Sequence, residues 1–155
     1  MKHFSLFLLV LCSCLISCTN KKKTVQQKSF YYPLNYFYSG NYAFREFLSA
    51  TVDVSNVEGH VKFVVSLSGI TSPLDSYSVH IHKKDLSEPF GYSGNPVIDL
   101  DHLQMGHAIV TKEVHDIDFD YFTKEFNGFF VVHDPLNIQN DTTTLLVYGK
   151  IGVID

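Results

Sequence analysis

From about Phe30 onward the chain is a succession of short runs in which apolar and polar residues alternate, separated by Gly, Pro, Asn and Asp. A period of two puts successive side chains on opposite faces of a strand, so each run predicts a strand with one buried and one wet face. In HVKFVVSLSGI, Val61, Phe63, Val65 and Leu67 fall on one side. The runs YYPLNYFY, YAFREFLSATVDV, YSVHIHK, HAIVTKEV, GFFVVHD and LLVYGKIGVI are rich in Val, Ile, Phe and Tyr, and the separators include Ser39-Gly40-Asn41 and SNVEG. DIDFDYF sets Asp116, Asp118 and Asp120 against Ile117, Phe119 and Tyr121, which predicts a strand with an acidic solvent face. LDHLQMGHAI has room for one helical turn, and no run has the period of an amphipathic helix. Seven or eight short strands predict an all-β antiparallel sandwich or barrel, with the aromatic run FYYPLNYFY in its core and edge packing.

Before Phe30 the pattern changes. MKHFSLFLLVLCSCLISC has a cationic start at Lys2, an apolar run from Phe4 to Ile16 and small residues before Cys18. That run is too short for a membrane-spanning helix and matches a secretory signal. Its ending, LISC, resembles the bacterial lipobox, which implies cleavage before Cys18 and lipid on the Cys18 thiol. The polar TNKKKTVQQKS that follows reads as a tether. The expected organisation is a lipoprotein signal peptide over 1–17, a lipidated N-terminus and tether over 18–29, and a folded domain over 30–155. The location implied is the cell envelope, with the chain anchored through its lipid to a bacterial membrane, periplasmic or outer-surface.

Composition narrows the chemistry. A chain of 155 residues, 45% apolar and 14% aromatic, suffices for one core-bearing domain. Twelve basic residues against sixteen acidic ones, with no basic face and no glycine-rich phosphate loop, argue against nucleic acid as a partner. All three cysteines (Cys12, Cys14 and Cys18) lie in the leader. The exported domain must therefore hold together without a disulfide, and any metal in it must be bound by histidine and carboxylate.

Histidines then become the residues of interest. His80 and His82 are two apart in a predicted strand and share a face, with Cα atoms about 6.5–7 Å apart. Two imidazoles at that spacing can converge on one ion through bonds of about 2.0–2.1 Å, although a half-wet strand also carries such a pair without a metal. His133 ends a second apolar strand, GFFVVHD, and three imidazoles make a candidate copper site. His60 and His115 flank turns and read as solvated surface residues. The DIDFDYF carboxylates alone do not make a calcium cage.

With these residues in place, the chain resembles the Cu/Zn superoxide dismutases. HVKFVVSLSGITSPLDSYSVHIH is similar to their strand, Gly-Leu-Thr turn and His-x-His strand; NGFFVVHD to their later Gly-x-x-x-Val-x-His strand; and LLVYGKIGVID to their closing Cys-Gly-x-Ile-Gly strand. The resemblance implies an eight-stranded Greek-key barrel or sandwich with shortened loops, and copper on His80, His82 and His133. SGNP resembles the family's His-x-Asn-Pro, with Ser93 in place of the metal-bridging histidine, and VIDLDHL makes Asp99 the nearest equivalent of the zinc aspartate. No histidine pair stands between Asn95 and Asp99, so zinc is not expected. His102 and His107 are candidates for a fourth ligand or proton donor.

Other departures bear on catalysis. Fifty residues separate His82 from His133 and fifteen separate His133 from Gly149, which are shorter intervals than in the family. The sole arginine is Arg45, Leu145 stands at the place of the active-site arginine, and Tyr148 replaces the disulfide cysteine. The function implied is a lipid-anchored, copper-binding, superoxide dismutase-like protein that converts superoxide to oxygen and hydrogen peroxide at reduced efficiency. Two alternatives stay open: a non-catalytic copper-holding domain, and a metal-free interaction module on the same scaffold. The partners expected are the membrane and either superoxide or a copper ion.

Overall fold

The computed structural model describes residues 26–36, 38, 48–69, 76–88, 91–104, 107–135 and 145–153. The leader, Cys18, the Ser39-Gly40-Asn41 turn and Arg45 lie outside them. Among the described residues, eight strands and one short helix follow one another: β1 (Gln27–Pro33), β2 (Ser49–Val57), β3 (His60–Ser68), β4 (Tyr77–Lys83), β5 (Ile98–Leu103), β6 (Ile109–Asp118), α1 (Phe119–Lys124), β7 (Asn127–His133) and β8 (Leu145–Gly152). They form two four-stranded antiparallel sheets, ordered β1-β2-β3-β6 and β5-β4-β7-β8. Among the described residues no helix is long and apolar enough to cross a membrane.

The alternating runs become strands because their apolar halves meet between the sheets. Val61, Phe63, Val65 and Leu67 are buried in β3, and Val79, Ile81, Phe130 and Val132 face them from β4 and β7 in the same cluster. Tyr32 stacks on Phe130 at 5.0 Å between ring centroids and donates its hydroxyl to the Lys150 carbonyl at 2.8 Å. Its ring lies where a Cβ on Gly149 would be, so glycine at that place in β8 admits the aromatic. Tyr31 and Tyr36 stay exposed on the same aromatic run.

The eight strands do not close into a barrel. β1 and the residues just after it reach β8 through single bonds, such as Lys28 Nζ to the Gly152 carbonyl at 2.7 Å and Asn35 N–H to the Leu146 carbonyl at 2.8 Å, and no ladder joins the two edges. The architecture is a sandwich of two sheets. β1 also starts at Gln27, three residues before the expected edge of the domain, because Lys28 pairs with Val54 and Ser29 with Asp53.

DIDFDYF does not form the expected continuous strand. The strand stops at Asp118, whose carboxylate accepts from the Tyr121 N–H and caps α1. Asp120 lies in the first turn and donates no strand face; its carboxylate takes Lys124 Nζ at 2.9 Å, one helical turn on. Phe119 and Phe122 are three apart and both buried, and Phe122 meets Phe63 edge-on at 5.2 Å. The helical spacing wins because it buries both rings, whereas a strand would turn one outward. The single turn considered for LDHLQMGHAI is taken up by β5 and an isolated Gln104–His107 bridge, with residues 105 and 106 outside the description.

Candidate metal centre

The outer face of the second sheet carries the site. In β4 the residues Val79 and Ile81 point into the sandwich, which turns His80 and His82 to the other side. Antiparallel pairing sets His80 beside Val131 and His82 beside Phe129. His133 is two residues beyond Val131, and a register irregularity between Val132 and His133 marks the end of β7. The strands thus deliver three imidazoles to one patch from two neighbouring elements. Each offers one ring nitrogen, and these atoms lie within 4.8 Å of one another.

Local bonds decide which nitrogens face inward. His82 Nδ1 lies 2.8 Å from the Ser93 carbonyl, which can only accept, so Nδ1 carries the proton and Nε2 is left with a lone pair. That Nε2 is buried and has no hydrogen-bond partner. His80 Nδ1 and His133 Nε2 face each other at 3.3 Å. Two nitrogens bonded to one ion at about 2.0–2.1 Å are about 3.3–3.4 Å apart at a tetrahedral angle and at most about 4.2 Å apart in a line. The His80–His133 pair already has the first spacing. A span of 4.8 Å has to close by about half an ångström to reach the linear limit and by about 1.4 Å to reach tetrahedral spacing, so binding requires the rings to move together.

Burial and charge prepare the same atoms. His82 and His133 are buried and His80 is partly so. Burial pushes all three imidazoles below their ordinary range, His133 furthest, to about 4, with the neighbouring His80 and His82 adding to the effect. Asp99 opposes the shift at His80, and its carboxylate is 3.7 Å from His80 Nε2. Neutral imidazole is the ligating form, so burial favours the state in which the lone pairs are available.

His82 departs from the sequence expectation in one respect. It faces outward from the sandwich yet is 2% exposed, because the chain after β4 folds back over it. Lys84 bridges Tyr92, Ser93 N–H bonds to the Lys83 carbonyl, and the Tyr92 ring lies 4.9 Å from the His82 ring. Tyr92, Phe129, Val131 and Leu145 make a second apolar cluster there, with Tyr148 packed against it. Sequence reasoning missed Tyr92 and the Ser93 carbonyl. Gly91 at φ +74°, which turns the chain back toward β4, is the one local signal that points to them.

The chain matches no known protein family, no curated protein and no solved structure.

Asp99 is paired with His80 across β4 and β5 and sits at its outer edge, with 70% of its side chain exposed. His102 is exposed on β5, with Nδ1 3.0 Å from the Ser78 hydroxyl. It is close enough to disfavour charge on His80 but lies outside the three-nitrogen group. His107 is exposed and takes part in the bridge to Gln104. His60 and His115 meet edge-on at 5.1 Å on the opposite sheet, away from the cluster. Leu145 is fully buried, and Tyr148 stacks on Phe129 at 4.9 Å.

Chemically the arrangement is a three-imidazole face that can hold a metal ion. An orphaned buried nitrogen on His82 and the close His80–His133 pair both fit one.

Proposed function

We propose that this chain is a lipid-anchored envelope protein that binds copper on His80, His82 and His133, in a sandwich of the Cu/Zn superoxide dismutase type. The observation that carries the proposal is the convergence of three imidazoles, two of which, His82 at Nε2 and His133 at Nδ1, have a buried nitrogen without a hydrogen-bond partner. All-nitrogen ligation by imidazole suits copper over the oxygen-seeking ions. The strand order β1-β2-β3-β6 over β5-β4-β7-β8 supports the Greek-key reading, since β3, β5 and β6 are each followed by a strand in the other sheet. The ordered motif resemblance supports the family, and the LISC ending supports the anchor.

Copper bound there supplies one-electron exchange, the chemistry that superoxide dismutation requires. The residues of this chain do the rest: His82, fixed through the Ser93 carbonyl, and buried His133 hold two positions, while the partly exposed His80 lies on the solvent side beside Asp99. That last contact favours a second form of the proposal, in which the domain holds copper without fast turnover. A carboxylate 3.7 Å from the most exposed ligand attracts a cation and repels an anion such as superoxide. Both forms are tested by loading the protein with copper and following bound metal and superoxide consumption together. Stoichiometric copper with turnover supports dismutation, tight copper without turnover supports holding, and failure to bind copper removes both in favour of a metal-free module.

A further inference from the structure

We propose that residues 84–88 and 91–97, after β4, form a latch, closed by the Tyr92 ring, that sets which nitrogen of His82 is presented to the metal. The proposal rests on the reading that the three histidines hold an ion. It assigns a positioning role to Tyr92 and to the Ser93 backbone, on a segment where a comparison of motifs finds only a missing histidine.

The latch is built from bonds within itself and onto the end of β4 and the start of β7. Lys84 N–H donates to the Asn127 carbonyl at 3.0 Å, Asp85 N–H to the Gly91 carbonyl at 2.9 Å, Ser93 N–H to the Lys83 carbonyl at 2.8 Å and Val97 N–H to the Ile81 carbonyl at 2.8 Å. Asp85 shapes the turn by accepting from the Ser87 N–H and hydroxyl. These contacts leave the Ser93 carbonyl aimed at His82 Nδ1. Backbone bonds in a connecting segment open readily unless side chains bury them. Tyr92, 1% exposed, supplies that burial: its ring contacts His82, Phe129 at 6.1 Å and Tyr148 at 5.9 Å, while Phe129 and Tyr148 stack on each other. A ring held on three sides packs the segment against β7 and β8.

The consequence is tautomeric. Free neutral histidine carries its proton mainly on Nε2, the nitrogen that here must be bare. The Ser93 carbonyl draws the proton to Nδ1 and leaves the lone pair on Nε2, which is buried and has no hydrogen-bond partner. Without the latch, His82 loses both its shield from water and the acceptor that selects the ligating tautomer. Loss of such an outer partner costs about 10–100-fold in metal affinity.

The test compares the wild-type chain with Tyr92→Leu, Tyr92→Phe and Tyr148→Leu. Histidine nitrogen NMR on the metal-free proteins reads the His82 tautomer, and titration with Cu(II) as the sole metal reads affinity. The wild type and Tyr92→Phe are expected to show protonated Nδ1 and bare Nε2. Tyr92→Leu is expected to move the proton toward Nε2 and to lose about 10–100-fold in Cu(II) affinity; Tyr148→Leu, changed at the half-buried far side of the stack, shifts both in the same direction and supplies the result if Tyr92→Leu does not fold. An unchanged tautomer and affinity in the folded leucine variants overturns the latch. Wild type with the Nδ1–H tautomer but no Cu(II) uptake overturns the metal reading and leaves the tautomer comparison to decide the latch by itself.

Discussion

Acidification of the metal-free protein gives the sharpest quantitative consequence of burying three histidines together. His133 titrates near 4 in the folded chain, against about 6.5 when unfolded, chiefly because burial disfavours its charged form. Between those two values the unfolded chain binds a proton that the folded chain refuses, so stability rises with pH through the window and falls as pH drops from about 6.5 toward 4. Across the whole window the loss from His133 alone is on the order of 3 kcal/mol, or about 1.4 kcal/mol per pH unit in the middle of it. His80 and His82 are shifted the same way and add to the slope. A loss of this size is a large fraction of the roughly 5–15 kcal/mol that holds a domain of this size together. Urea unfolding of the metal-free protein at pH 7.5, 6.5, 5.5 and 4.5, followed by circular dichroism, measures it. His133→Asn removes the titrating group and is expected to flatten the slope between pH 6.5 and 4.5 by close to one proton's worth. Equal slopes in the two proteins would refute the argument that His133 is held neutral by its surroundings.

Three further substitutions separate the site from its scaffold. Gly128→Ala would drive a Cβ into the His82 carbonyl and the Phe126 ring, and is expected to cost about 1–3 kcal/mol in urea unfolding while weakening copper binding, because β4 and β7 must part beside a ligand. Asp118→Ala removes the α1 cap on the far sheet; a loss of about 1 kcal/mol in stability with copper affinity unchanged is expected from the same two measurements. Asp99→Asn keeps the shape beside His80 and removes the charge. As that carboxylate is mostly exposed, the expected fall in copper affinity is no more than about fivefold, corresponding to about 1 kcal/mol or less, and calorimetric titration distinguishes this from the larger loss expected of a ligand.

Much of the scaffold was legible because a strand writes its faces into the sequence. YSVHIHK coincides with β4, and the Val61, Phe63, Val65, Leu67 alternation is the buried face of β3, since a half-buried strand must repeat every two residues. The same rule misled at DIDFDYF, where alternation and a helical spacing of phenylalanines coexist and the core contact with Phe63 selects the helix. Barrel closure was not legible either. It depends on whether the β1 and β8 edges continue a ladder, and that is set by sheet separation and twist and by no single residue.

For the site, the sequence by itself placed His80 and His82 on one face and His133 at a strand end, because those facts follow from local periodicity. Tertiary structure decided that the three meet, since the β4–β7 register brings residues 53 apart in sequence to 3.3 Å. It also decided that His82 and His133 are buried and that all three imidazoles are shifted toward the neutral form. The opening pattern predicts a wet outer face for His82, and Tyr92, ten residues later, covers it. Which nitrogen of His82 is bare follows from the Ser93 backbone carbonyl, and a backbone atom carries no signature in a sequence. Burial and tautomer are properties of what is packed against a side chain, and that is settled only when the chain has folded.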